Sequence, residues 1–394
     1  MLKKLTISNF YSFAEETSID FTLGKKPTPS GYDIQLDGER FNKAIAIIGA
    51  NGSGKTQLLK PLAFLSWFIA DSFLQTAPDG SIPYAPHRLF EQLPTRLELD
   101  FAHHGKNYRY QLELLKGEAQ FEALFEKTSN QFSYLIKREK TAEGYSVKQK
   151  GFGFAKPQAE KIRSNASIIS AAHNFDVAAA KAFVEYFQHI ASNVASNGRR
   201  HFQHGALIRA AERFAKAPEL LQPMTDAMCQ FDLGLSRVDI KQLISRDETG
   251  IEGTIHMPFG LHQTTDGHTF ELPFFEESSG TQSAFVLLEP ILKTLYHGGV
   301  AVIDELDNDL HPHLVPILLD WFRFAHTNPK QAQLIFTCHT PEVLNLLQKH
   351  QVYLVEKNGQ CSEAWRADEI VGLRADDNLS AKYMAGALGA VPEL

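Results

Sequence analysis

Apolar residues recur along this chain at two periods, and the change from one to the other divides it. Near the start, Leu2 to Ile7 and Ser18 to Phe21 read as two short strands. Ile45-Ala46-Ile47-Ile48 is a continuous apolar run, the pattern of a strand buried on both faces. The spacing after it predicts a helix from about Thr56 to Phe73. Beyond a turn-rich stretch, Thr76 to Pro86, the runs Arg96 to Phe101 and Tyr108 to Leu115 alternate apolar with polar across a Gly-containing turn. That is a hairpin signal, and Phe132 to Lys137 continues the meander. From about Pro157 to Phe231 the pattern turns helical and alanine-rich. Strands return at Gly253 to Met257 and His268 to Phe275. The last third reads helix (281–297), strand (300–304), helix (312–325), strand (333–337), helix (341–349), strand (351–356). Such alternation implies a parallel sheet covered by helices. The expected architecture is α/β: an N-terminal lobe over 1–156 with an antiparallel β subdomain, a mostly helical insertion over 157–245, and a C-terminal lobe over 246–394.

Composition narrows this only a little. At 394 residues, with 43% hydrophobic and 22% charged residues, the chain is ordinary for a globular protein with a sizeable core. A net charge of −7 argues against a uniformly basic surface but leaves room for a local patch. Three cysteines, Cys229, Cys338 and Cys361, lack paired spacing, which points to a reducing compartment without disulfides or zinc. No stretch approaches the ~18 apolar residues of a membrane span, and MLKKLTISNF is unlike a signal peptide. The expected location is the cytoplasm.

GANGSGKT, residues 49–56, changes the picture most. Gly49, Gly54, Lys55 and Thr56 fill the fixed positions of G-x-x-x-x-G-K-[ST], between a predicted strand and a predicted helix. Such a loop turns backbone N–H groups inward as an anion cradle, and the helix N-terminus adds partial positive charge. Gly49, Ala50, Asn51, Gly52, Ser53, Gly54, Lys55, Thr56 and Gln57 are the candidate nucleotide-binding residues. Lys55 would reach the β- and γ-phosphates of ATP, and Thr56 would bind Mg²⁺. Val300 to Ile303 is an apolar strand running into Asp304 and Glu305. Ligands sit at the carboxyl ends of parallel strands, so Asp304 is the second candidate metal residue and Glu305 the candidate to polarise a water. Gln333 to Thr337 likewise ends at His339, a candidate partner of the γ-phosphate or the water. Glu277-Ser278-Ser279-Gly280-Thr281-Gln282 opens a helix. Ser279 and Gly280 there read as a cap or as a second anion site. Asp307-Asn308-Asp309 reads as the loop after the acidic strand rather than a metal site, and His311-Pro312-His313 as a helix start.

These residues together resemble a known class. Ile7-Ser8-Asn9-Phe10-Tyr11-Ser12-Phe13 followed by GANGSGKT resembles the N-terminus of SMC- and RecF-like ATPases of the ABC class. ESSGTQ resembles its signature, IDELDNDLHP its Walker B and D-loop, and TCHTPEVL its switch histidine. VYLVEKNGQ and LRADDNLSAKYMAGALGAVPEL are similar to the AAA-type ATPases of the RloA and AbiL abortive-infection group. That group has relatives in PARIS- and Septu-like phage-defence systems and in the OLD family. The resemblance implies a P-loop NTPase fold of ABC type, with a mixed, mainly parallel sheet and helices on both faces. It implies an ATP-sandwiched homodimer or higher oligomer, with Ser278, Ser279, Gly280, Thr281 and Gln282 completing the partner's site, and ATP turnover through Lys55, Glu305 and His339. Thr281 and His311 depart from the class pattern and bear on the rate, which is expected to be slow. Gln75 and Gln92 are both candidates for the Q-loop glutamine.

As to role, the resemblance implies a sensor or scaffold of an anti-phage system. OLD-type relatives carry a TOPRIM nuclease after the ATPase, whereas 89 residues follow Glu305 here, so the effector is expected to be a separate chain, TOPRIM/RloB-like or HNH. The trigger would be DNA or a phage protein. Alternatives are a RecF/SMC-like DNA-repair or chromosome-maintenance ATPase and a nucleotide-locked assembly with little hydrolysis. Between Lys137 and Arg163 eight basic residues face three acidic ones, with Tyr145, Phe152 and Phe154 among them. Lys137, Arg138, Lys148, Lys150 and Lys156 form a candidate DNA patch, although a solvated hairpin explains them as well.

Overall fold

A computed structural model describes residues 1–24, 27–195, 198–199, 204–231, 234–246, 252–308 and 310–392. Its centre is a six-stranded sheet in the order Ile190–Ser192, Val300–Ile303, Gln333–Thr337, Ala44–Ile48, Val352–Asn358, Cys361–Arg366. The first five run parallel and the last antiparallel. Side chains alternate between the two faces at the strand period of two. Ile45, Ile47, Val300, Val302, Ile335, Tyr353 and Val355 join one core, with the phosphate-loop helix Lys55–Gln75. Ala44, Ala46, Ile48, Ala301, Ile303, Leu334, Phe336 and Leu354 join the other, with the helices His204–Ala215, Leu221–Gln230, Ser279–His297 and Leu314–Arg323. Burial on both faces is why these strands carry unbroken β-branched and aliphatic runs. The expected mixed sheet with helices on both faces is the fold observed.

The meander is longer than the pattern predicted. Seven antiparallel strands follow the order Gly144–Gln149, Gln131–Thr141, Glu118–Thr128, Lys106–Leu115, Thr95–His103, Leu2–Ser8, Thr17–Asp20. Glu118–Thr128, Gly144–Gln149 and Cys361–Arg366 were not expected as strands, being short or broken by charges. The segment after Pro157 is not wholly helical either, since Ile190–Ser192 pairs with Val300–Val302 at the edge of the central sheet. The expected boundary at 245/246 falls inside Leu235–Arg246, which pairs with Glu252–Gln263. The helix expected over 341–349 is a 3₁₀ segment, Pro341–Leu346. Pro341 starts it, and the carboxylate of Asp307 takes the N–H groups of His339 and Thr340 just before it.

One buried network fastens the segment after Pro157 to the meander. Arg138 and Glu122 are both fully buried and pair at 2.7 Å. Glu122 also accepts from Tyr110 Oη, Ser167 Oγ and the N–H of Ile168, the first residue of a helix. Arg138 therefore does not belong to a surface patch, contrary to the sequence expectation. Phe152 and Phe154 are core residues rather than stacking platforms. Arg163 donates to the carbonyls of Ser72, Phe73 and Thr76 and so caps the C-terminal end of the phosphate-loop helix. Lys148, Lys150 and Lys156 are exposed, the last within an i,i+4 pair with Glu160.

Candidate ATP site

The phosphate loop leaves the carboxyl end of Ala44–Ile48 and has no room for a side chain at its first and last glycines. A Cβ on Gly49 would lie 2.1 Å from the Val355 carbonyl oxygen. Gly54, at φ +113°, caps the helix, and a Cβ there would lie 2.5 Å from Ser362 Oγ. Ser362 Oγ bonds Ser12 Oγ and the Ser53 carbonyl, each at 2.6 Å, so the strand Cys361–Arg366 buttresses the loop. From the C-terminal side the Ala390 carbonyl takes the Ala50 N–H at 3.0 Å. Ala50 thus supports the loop instead of donating into it. The first intrahelical bond is Leu58 N to Gly54 O, which leaves the N–H groups of Gly54, Lys55, Thr56 and Gln57 without i−4 partners, as at any helix start. Lys55 Nζ reaches back to the carbonyls of Gly49 and Ala50 at 2.7 and 3.0 Å. Burial pushes the pKa of its ammonium down, opposed by the carboxylates of Asp304, Glu305 and Asp307. Ser53 Oγ is buried without a partner among the described residues. A tight glycine cradle, inward lysine and orphaned hydroxyl fit a polyphosphate.

The acidic strand meets this loop directly. Asp304, 1% exposed, accepts from Thr56 Oγ1 at 2.8 Å and from Thr337 Oγ1 at 2.6 Å. The Thr337 hydroxyl in turn accepts the N–H of Glu305 at 2.7 Å. Both polar ends of the Asn193 amide hold the Asp304 backbone, at 2.7 and 2.9 Å. Glu305 adopts φ +52°, a conformation uncommon outside glycine, and so leaves the strand's alternation. Its Oε1 lies 3.5 Å from His339 Nε2, while Oε2 pairs with Arg199. Thr56 and Asp304 supply the hard oxygen donors that Mg²⁺ prefers.

Not every expected residue faces this centre. Ser278, not Ser279 or Gly280, caps the helix Ser279–His297, accepting from Thr281 N at 3.2 Å. Ser278 and Ser279 are exposed, and among the described residues no hydrogen bond joins them or Gly280 to the phosphate loop or Glu305. Thr281 and Gln282 are buried, and Gln282 Nε2 donates to the Glu277 carbonyl at 2.8 Å. They shape the helix start from within. The side chain of Gln57 is taken up by the Ser12 N–H at 2.9 Å. Gln75 lies at the far end of a 21-residue helix, about 30 Å along it from the phosphate loop, too far for a Q-loop role. Gln92 is exposed on the turn that Asn9 anchors through Phe90 and Leu93. Asp307 caps a turn, as above, and Asp309 lies outside the described residues. His311 and His313 stack at 5.1 Å just before the helix Leu314–Arg323, and no group of three metal-binding side chains occurs among the described residues. Thr337, Asn193 and Arg199 are the site residues that sequence reasoning missed.

A phosphate loop on one parallel strand, with a buried aspartate bonded to its threonine from another strand, defines an ATPase domain of the AAA/ABC type. Residues 44–345 match the family described as "AAA domain, putative AbiEii toxin, Type IV TA system", and the chain belongs to that family. A comparison with curated proteins finds no match. Solved structures similar to the chain include an Smc head domain with a coiled coil and joint from Pyrococcus yayanosii. It is 10% identical over 98% of this chain and 99% of that one, with a TM-score of 0.46. An Smc head domain from Pyrococcus furiosus, bound to the C-terminal domain of ScpA, is 12% identical over 93% and 97%, with a TM-score of 0.45. The SMC head domain from Thermotoga maritima is 15% identical over 93% and 98%, with a TM-score of 0.38. No helix among the described residues is long and apolar enough to cross a membrane.

Proposed function

We propose that this chain is a slow Mg-ATP hydrolase that acts as the sensor or scaffold subunit of an anti-phage, abortive-infection system. ATP would join two copies head to tail, and the joined state would control a separately encoded nuclease or toxin. The observation that carries the reading is the hydrogen-bonded chain Thr56–Asp304–Thr337–Glu305, which ties the phosphate loop to the candidate base. The family description, with its putative toxin and toxin–antitoxin system, supports the defence context.

Each residue has a definite task in this reading. Lys55 and the helix N–H groups bind the β- and γ-phosphates. Thr56 and Asp304 hold Mg²⁺, which when bound neutralises charge on the phosphate oxygens. Glu305, fixed by its backbone geometry and by Thr337, accepts a proton from the attacking water on Oε1, the oxygen facing His339. His339 orients that water or the γ-phosphate. Lys55→Ala should abolish ATP binding in a calorimetric titration. Glu305→Gln should retain Mg-ATP but lose turnover by about 10²–10⁴, the usual worth of a general base. Wild-type turnover in Glu305→Gln would remove the carboxylate from the chemistry. The defence role is tested by co-purification with the product of the adjacent coding region, with and without ATP. An ATP-dependent nuclease or toxin partner is expected, and none would refute effector control.

A further inference from the structure

Glu305 divides its two oxygens between different neighbours, His339 on one side and Arg199 on the other. Beside the Arg199 contact lies a cavity of about 120 Å³, lined among others by Asn193, Arg199, Arg209, Arg213, Glu289 and Glu305. Three guanidinium groups thus face two carboxylates. Arg213 pairs with Glu289 at 2.8 Å and Arg199 pairs with Glu305. Arg209, exposed on the helix His204–Ala215, meets no carboxylate among the described residues. The Nε of Arg199 is buried without an acceptor among them. A buried N–H in that condition calls for an oxygen acceptor.

The cavity's size and charge select its occupant. It falls well below the ~300 Å³ at which pockets begin to hold drug-sized ligands, so a nucleoside does not fit. A tetrahedral oxyanion does, and the forked N–H groups of arginine match its oxygens. We infer that this cavity is a binding site for inorganic phosphate, next to the carboxylate at which hydrolysis would release it. The inference rests on the proposed ATPase reading for the origin of that phosphate. In hydrolysis the water oxygen bonds to the γ-phosphorus, the bond to the bridging oxygen breaks with its electron pair leaving on ADP, and a water proton passes to Glu305. The phosphate dianion released there lies beside the guanidinium groups of Arg199 and Arg209, which line the cavity.

The test separates this site from the phosphate loop, which also binds anions. Inorganic phosphate is titrated calorimetrically into the full chain loaded with Mg-ADP, and into Lys55→Ala without nucleotide. One phosphate site should persist in both. Arg209→Glu and Arg209→Gln, changes at an exposed helix position, should weaken it tenfold or more. They should also raise the phosphate concentration needed to inhibit turnover by the same factor, with KM for ATP unchanged. No binding to the wild type, loss with Lys55→Ala, or equal affinity in the Arg209 variants would overturn the inference. So would phosphate that binds without inhibiting. If the wild type hydrolyses no ATP, the ATPase reading fails while the equilibrium titrations still decide the anion site.

Discussion

At the scale of single residues, the site depends on groups that never touch a ligand. Asn193 uses its whole amide to hold the N–H and carbonyl of Asp304, at the turn where the strand gives way to Glu305. Asn193→Ala would strand two backbone groups beside a buried carboxylate, at about 1–3 kcal/mol. If Asp304 holds Mg²⁺ as proposed, the Mg²⁺ concentration for half-maximal turnover should rise roughly tenfold, since ~1.4 kcal/mol is tenfold. A Mg²⁺ dependence unchanged in Asn193→Ala, measured on folded protein, would show that the tether does not position the metal residue. Thr337 acts on Glu305 in the same indirect way, whereas Arg199 pairs with Glu305 and also lines the proposed phosphate site. Asn193 and Arg199 belong to no motif and Thr337 only opens TCHTPEVL, and the task of each shows only through a partner 32 to 111 residues away.

At the scale of elements, the legible parts were those whose pattern is local. The apolar runs before Gly49 and before Asp304 announce buried parallel strands, and both strands lie where expected. Ile190–Ser192 was illegible, because three residues carry no period and only the distant strand Val300–Ile303 gives them a place. The basic stretch misled for a related reason. Arg138 sits in a sequence rich in lysine, yet its partner Glu122 lies on the neighbouring strand of the meander. Removing one member of a buried pair leaves an uncompensated charge. Arg138→Ala should therefore cost about 3–5 kcal/mol in denaturant unfolding. Lys148→Glu with Lys150→Glu, at exposed positions, should each stay within about 0.5 kcal/mol. If the exposed lysines do contact nucleic acid, that double variant should weaken binding and flatten its salt dependence without loss of stability. Equal stability of Arg138→Ala and wild type would mean the pair does not fasten the segment after Pro157 to the meander.

At the scale of the whole molecule, the helix start at Ser278, Ser279 and Gly280, exposed at both serines, makes no hydrogen bond to its own phosphate loop among the described residues. In the head-to-tail reading it serves the other copy's ATP, so each site would draw Lys55, Thr56, Asp304, Glu305 and His339 from one chain and Ser279 and Gly280 from its partner. Lys55→Ala should be inactive. Ser279→Arg should be inactive too, because it places a long side chain where the γ-phosphate would dock. When the two variants are mixed, hybrid dimers gather both lesions into one site and leave the other wholly wild type. With free exchange about half the dimers are hybrids, as random pairing of two equal pools requires. ATPase activity should then reappear in the mixture if one intact site fires alone. A site complete within one chain gives no rescue at any mixing ratio. Strict coupling of the two sites would silence the hybrid, so the same mixture is followed by light scattering for dimers that form with ATP. A mixture of folded variants with neither activity nor ATP-dependent dimers would rule out the shared site.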